Sequence, residues 1–251
     1  MEGSPAISDI LRLLGEGLLE LLYPTKCAGC DEPGHLVCDE CRLAIAAARP
    51  ECRCRRCGAP LPGAAQSRRD GCGECSGRTL PFEAAICVGA LERPLSRVIS
   101  VYKDAGERRL AAYLAGLLVA EACDWAGWPD VVTWVPATRA AVARRGFDQS
   151  QLLAQAVAEE WGVECRRLLR VHRTKDQRRL GRADRLANVR GAFIAIGDRP
   201  PPARVLLVDD VMTTGATLTS AAEALHTGGV GRVRVANIAR KLSVLPQVPG
   251  L

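Results

Sequence analysis

From Phe82 onward the apolar positions fall into two alternating textures. Short continuous or alternating apolar runs at 84–91, 131–135, 192–196, 205–208 and 233–239 predict strands. Between them, apolar residues recur every three or four positions over 95–123, 149–161 and 216–226, which predicts helices, the first interrupted near Asp104-Ala105-Gly106. Strands alternating with helices predict an α/β domain with a mostly parallel sheet. Ahead of Phe82 the pattern differs. Ile7, Ile10, Leu11, Leu14, Leu18, Leu21 and Leu22 share one helical face over 7–22, stopped by Pro24. That helix carries Asp9, Glu16 and Glu20, so packing on its own protein is expected rather than a membrane-surface role, which favours Lys and Arg. From 24 to about 80 long apolar runs are missing, and such a segment needs staples to hold a fold. The expected organisation is a helix over 1–23, a cysteine-rich module over 24–80, an α/β domain over 81–242 and a tail over 243–251.

Composition identifies the staples. The chain has 251 residues, 48 % hydrophobic and 25 % charged, which excludes a disordered protein. Of its 12 cysteines, nine lie within the 49 residues from Cys27 to Cys75. The N-terminus lacks the basic start and cleavage site of a secretory signal, and no run of 18 apolar residues predicts a transmembrane segment. A cytoplasmic location is therefore expected, where thiols stay reduced and paired C-x-x-C motifs bind metal. Four such knuckles occur: Cys27/Cys30, Cys38/Cys41, Cys54/Cys57 and Cys72/Cys75. Two knuckles make a closed tetrahedral four-thiolate site, so two structural zinc ions are expected. Pairing in sequence order leaves loops of seven and 14 residues; a cross-braced pairing of the first knuckle with the third stays open. Cys52 and His35 are expected to be bystanders, and an iron–sulfur cluster or dithiol redox chemistry is disfavoured.

The second chemical feature is 204–217, RVLLVDDVMTTGAT. A buried strand delivers Asp209 and Asp210, a turn of small hydroxylated residues follows, and a helix begins near Ala216. At the carboxyl end of a parallel strand, such a turn lies where open α/β sheets bind ligands. Helix N-terminal amides and the hydroxyls of Thr213, Thr214 and Thr217 would cradle an anion, and Gly215 would let the backbone come close. No nucleoside-triphosphate P-loop sequence is present. Carboxylates beside a phosphate cradle suit a ligand that also carries hydroxyls, such as a ribose.

This stretch resembles the phosphoribosyl-pyrophosphate (PRPP) motif of type I phosphoribosyltransferases. The resemblance implies that Asp209 and Asp210 bind the ribose 2′- and 3′-hydroxyls and that Thr213, Thr214, Gly215, Ala216 and Thr217 hold the 5′-phosphate. Pro136, Ala137 and Thr138 occupy the place of the family's pyrophosphate loop, with Lys103 and Arg145 as further pyrophosphate or phosphate contacts. The order of zinc knuckles, 144–150 (RRGFDQS), 174–177 (TKDQ), 185–193 (RLANVRGAF) and PRPP motif resembles the ComF family over roughly Tyr23 to Arg240. That family is double zinc-ribbon, type I phosphoribosyltransferase-like and associated with competence and DNA uptake. The implied fold is a Rossmann-like, mostly parallel α/β domain behind an N-terminal double zinc ribbon. The implied activity is transfer of a phosphoribosyl group with Mg²⁺ and release of pyrophosphate. The alternative is a non-catalytic protein that binds PRPP or nucleic acid in single-stranded DNA import or regulation, with competence proteins as partners. Two departures stand out: Asp148 replaces the family's usual Asn, and 140–143 is apolar where basic residues are usual.

Charge sharpens one more segment. From Arg166 to Arg190 there are ten basic and two acidic residues, a surplus larger than the +6 of the whole chain. A lid over the substrate, a nucleic-acid surface and a solvated loop are all compatible with it. His172 within it is expected to be solvated. A zinc ion with four thiolates carries −2, so two such sites would reduce the net +6 to about +2 and leave this segment as the main carrier of positive charge.

Overall fold

The computed structural model describes residues 24–61, 71–172, 191–197 and 199–241. The expected helix at 7–22, the 174–177 motif, most of 185–193, most of the basic segment and the C-terminal tail lie outside the described residues. In chain order the elements are α1 (Asp39–Ala47), β1 (Cys52–Arg53), β2 (Pro60–Leu61), β3 (Ala84–Ala90), α2 (Leu95–Lys103) and α3 (Leu110–Glu121). There follow β4 (Val131–Trp134), α4 (Arg139–Arg145), α5 (Gln149–Trp161), β5 (Glu164–Cys165), β6 (Leu169–Val171) and β7 (Phe193–Ala195). Then come β8 (Arg204–Met212), α6 (Ala216–Thr227) and β9 (Arg232–Arg240).

Five strands form one all-parallel sheet in the order β3-β9-β8-β4-β5. On one face, α2, α3 and α5 bury Val98, Tyr102, Leu110, Leu114, Leu153 and Val157 against Leu206, Val208 and Ile238 of the sheet. On the other, α6 packs Leu218, Ala221 and Leu225 against Val205, Leu207 and Val233. The antiparallel pair β6–β7 stands outside the main sheet, beside α6. No helix among the described residues is long and apolar enough to cross a membrane.

The long strands and helices follow the apolar pattern, and the differences have physical reasons. The predicted strand at 205–208 extends through the two carboxylates to Met212, because backbone pairing with β9 continues through Asp209 opposite Asn237. The helical stretch 95–123 divides into α2 and α3 across Gly106, whose φ of 77° is left-handed. Six short elements escaped the pattern: α1, β1, β2, α4, β5 and β6. Helix α1 buries only Cys41 and Ile45, one helical turn apart, while α4 buries nothing and β5 has just two residues.

The cysteine-rich segment also builds more apolar contact than its sequence suggests. Cys27, Ala28, Val37, Cys38, Cys41 and Ile45 belong to the same core as Val88, Leu95 and Leu110. Its second half forms a separate small cluster of Cys54, Cys57, Ala59, Cys72 and Cys75.

Candidate functional site: two thiolate centres and an anion crevice

The cysteines converge in sequence order. Cys27, Cys30, Cys38 and Cys41 form one group and Cys54, Cys57, Cys72 and Cys75 the other, with the sulfurs of each within 4.8 Å of one another. This settles the pairing against the cross-braced alternative. Cys52 and His35 belong to neither group. Both groups fit a tetrahedral dication. Backbone amides of Gly29 and Cys38 each donate to Cys27 Sγ at 3.3 Å. A Cβ on Gly29 would collide with Cys41 Sγ, and one on Gly71 would lie 2.5 Å from Cys75 Sγ, so each cradle requires glycine. In each group one thiol is drawn down despite its burial, because amide hydrogen bonds favour the thiolate: Cys27 to about 6 and Cys54 to about 7. Burial and the neighbouring thiols push Cys41 and Cys57 far up. Four thiols cannot all ionise at this spacing without a cation between them, which a zinc ion supplies.

The second site is a crevice above the sheet. Chain connections leave β4 towards β5 and β8 towards β9, so their direction reverses between the adjacent strands β4 and β8. Ligands bind at such switch points, outside the carboxyl ends of the strands. Here those ends carry the loops 135–138 and 213–215. Asp209 and Asp210 lie near that end of β8 and are buried, 8 % and 4 % exposed. Asp209 Oδ1 accepts from the Ser150 hydroxyl at 3.0 Å and from the Asp210 amide at 2.9 Å. Asp210 Oδ1 accepts from the Val211 amide at 2.7 Å, and its Oδ2 pairs with Lys103 Nζ at 2.7 Å. Burial, then the adjacent Asp210 charge, push Asp209 up to about 8 against the pull of Ser150, the Asp210 amide and Lys103.

Past β8, Thr213 and Thr214 are exposed and Gly215 caps α6 with a φ of 78°. Thr214 Oγ1 accepts from the Ala216 amide at 3.4 Å. The first-turn amides of α6 and the exposed Thr217 follow this loop, and with the helix dipole such an arrangement can hold an anion.

Across the crevice, Val135 N–H donates to Val208 O at 3.0 Å and buried Pro136 leads into the second loop. Ala137 N–H donates to Asp148 Oδ2 at 3.0 Å, and Thr138 caps α4 by accepting from the Ala141 amide. Asp148 also caps α5 through the Gln151 amide, so both carboxylate oxygens are engaged. Lys103 joins the acidic pair directly. Arg145 sits one step away, donating to Gln149 Oε1 at 3.0 Å and to Asp104 Oδ1 at 3.5 Å. His172 is exposed at the end of β6.

Sequence reasoning passed over three participants. Ser150 appeared in the 144–150 motif and as the second residue of a predicted helix, without a role of its own. Arg78 reaches Thr214 O at 3.4 Å from the zinc module, and no local pattern announces that contact. A groove of about 650 Å³ beside the 135–138 loop, lined by Trp134, Ala137, Phe147, Asp148, Gln151 and Arg167, draws on three separate segments.

Comparison with known proteins gives two family matches: the double zinc ribbon domain over residues 18–76 and the phosphoribosyl transferase domain over residues 198–246. The DNA utilization protein YhgH of Salmonella typhimurium is 31 % identical over 234 residues, 88 % of this chain and 100 % of that protein. Competence protein F of Haemophilus influenzae is 31 % identical over 196 residues, 74 % of this chain and 84 % of that one. Competence protein ComFC of Streptococcus pneumoniae is 30 % identical over 141 residues, 56 % of this chain and 61 % of that one. Among solved structures, orotate phosphoribosyltransferase from Aeropyrum pernix aligns with 59 % of this chain and 66 % of its own, at 21 % identity and a TM-score of 0.35.

Proposed function

The chain belongs to the ComF family, double zinc-ribbon proteins with a phosphoribosyltransferase domain, and on that premise we propose that its crevice binds PRPP and that the protein serves DNA uptake. The observation that carries the ligand is the pairing of two carboxylates with a helix N-terminus on one strand–turn–helix unit, Arg204 to Thr227. Carboxylates accept hydrogen bonds from the ribose 2′- and 3′-hydroxyls, while the amides and hydroxyls of 213–217 take the 5′-phosphate. Pyrophosphate then lies towards Pro136, Ala137, Thr138 and Lys103, with Arg145 behind them. Mg²⁺ would arrive with PRPP and spread charge between its pyrophosphate and ribose oxygens. The chain's own part in any transfer is positioning and electrostatics: Lys103 offsets the leaving charge, and Asp209 and Asp210 orient the ring.

The names of the relatives support the link to DNA. We assign the surplus of positive charge at 166–190 to contact with single-stranded DNA and competence partners, in the cytoplasm, where a reducing milieu keeps C-x-x-C thiolates available to zinc. Neutralising Arg178, Arg179 and Arg182 should flatten the salt dependence of single-stranded DNA affinity; an unchanged slope removes the DNA contact from this segment.

The ligand test is a comparison of related anions by calorimetry with Mg²⁺ present. PRPP is expected to bind in the micromolar range, ribose 5-phosphate more weakly and inorganic pyrophosphate most weakly. Equal affinity for PRPP and pyrophosphate would show that neither ribose nor 5′-phosphate is recognised, and would overturn the reading.

A further inference from the structure

Arg240, the last residue of β9, is among the largest fully buried side chains of the described residues, at 2 % exposure. A guanidinium stays charged at physiological pH, so its burial is unfavourable unless its donors are used. The donors of Arg240 reach three places. Nε and Nη2 bond the Glu74 carboxylate, the former at 3.1 Å. Nη1 donates to Cys57 O at 2.6 Å and lies 3.1 Å from Met212 Sδ. Glu74 stands between Cys72 and Cys75, and Cys57 is a member of the same thiolate group. Met212 is the last residue of β8, where the proposed phosphate loop begins.

Further contacts run through the same junction. Lys241 N–H donates to Met212 O at 2.9 Å, and Arg78 Nη2 reaches Thr214 O. Met212 Cε lies 2.6 Å from where a Cβ on Gly215 would sit, so it packs against the cap residue of α6. The first thiolate group is attached elsewhere, within the core shared with Val88, Leu95 and Leu110.

We propose that Arg240 is a positioning residue through which the second four-cysteine site sets the conformation of the 212–217 loop. Anion binding there then depends on zinc in the second site. The physical argument is local. The sulfurs of Cys54 and Cys75, and of Cys57 and Cys72, are 3.6 Å apart, a spacing that repelling thiolates keep only around a cation. When the group spreads, Cys57 O and Glu74 leave the guanidinium, and a buried charge without partners must move. Met212 and the loop move with it. The identity of the anion rests on the PRPP reading above, whereas the coupling concerns the loop itself.

The test is hydrogen exchange on the full-length, zinc-loaded protein, with PRPP affinity measured in parallel. Arg240→Lys keeps the charge but loses the fork, and Cys72→Ser breaks the second thiolate group. Both are expected to speed exchange of the 213–219 amides by about tenfold or more, local opening being sensitive to lost anchors. Both should also weaken PRPP binding by about tenfold, which corresponds to about 1.4 kcal/mol. Cys30→Ser breaks the first group instead and should speed exchange in α1 and α2 while the 213–219 amides keep their protection. Equal loop exchange in Cys72→Ser and Cys30→Ser would overturn the coupling, and this contrast decides the matter alone if Arg240→Lys does not fold. If the exchange contrast holds but wild type does not bind PRPP, the ligand reading falls and the coupling stands. If PRPP binds equally to wild type and Cys72→Ser, the coupling falls and the ligand reading stands.

Discussion

The two loops at the carboxyl ends of β4 and β8, at 135–138 and 212–217, are anchored to different parts of the molecule. The 135–138 loop is held by Asp148, whose carboxylate takes the Ala137 amide while capping α5. Neighbouring Phe147 lies in the main core, the core that also contains the first thiolate group. The 212–217 loop is held by Arg240 and Arg78, through which it meets the second thiolate group. One zinc ribbon is thus built into the body of the fold, and the other is built against the 212–217 loop. Two centres of the same composition differ in consequence because of what their neighbours touch.

The largest expected effect separates the two ribbons by stability. Structural zinc in small peptides contributes about 10–16 kcal/mol of folding free energy, so losing either ion is a large event. Cys30→Ser should lower the thermal midpoint of the whole protein, because its group lies in the main core. Cys72→Ser should mainly unfold the second ribbon and lower that midpoint less. Scanning calorimetry with zinc analysis reads both, and equal losses would erase the distinction.

A smaller effect, about 1–3 kcal/mol of overpacking, is expected at the cradle glycines. Gly71→Ala places a methyl against Cys75 Sγ at a φ of 102°, and Gly29→Ala presses on Cys41 Sγ. Each should weaken zinc at its own site alone in a competition with a chromophoric chelator. Weakening at both sites by either substitution would mean that the ribbons behave as one unit.

The loop at 135–138 offers a gentler test. Asp148→Asn keeps an oxygen to cap α5 but turns an amide group towards Ala137, releasing that N–H to the crevice and removing a negative charge. PRPP affinity should rise severalfold, about 1 kcal/mol for one hydrogen bond gained, with exchange at 213–219 unchanged. A weaker affinity would mean that the Asp148 anchor matters more than the free donor.

The remaining effect is on pH. The pKa of Asp209 is raised, chiefly by burial. Between the ordinary carboxylate range near pH 4 and its raised value the folded protein holds a proton that the unfolded chain has released. Stability therefore falls as pH rises through that window, while affinity for a ligand whose hydroxyls donate to the carboxylate increases. Denaturant titrations and calorimetry at pH 6 and pH 8 should show opposite trends in wild type and neither trend in Asp209→Asn.

Much of this architecture was legible because it is written in short-range terms. The C-x-x-C knuckles state their own chemistry, and the run from Val205 to Thr217 contains strand, carboxylates, turn and helix start in one segment. Helix α5 matches its predicted span because apolar spacing, the Asp148 cap and Gly162 at its end agree. What was not legible depends on distant partners. Arg240 looks like an ordinary charged residue at a strand end, and only the fold brings Glu74 and Cys57 to it across more than 160 positions. The sharing of the main core by the first ribbon was equally hidden, since Cys27, Val37 and Ile45 form no run.

The acidic pair of β8 and the loop after it are proposed to form a ribose-phosphate site. Calorimetry of PRPP with Mg²⁺ on wild type and on the double variant Asp209→Asn/Asp210→Asn tests it most directly. Micromolar binding to wild type and none to the double variant is expected, with two zinc ions retained in both. Undiminished binding to the double variant would contradict it.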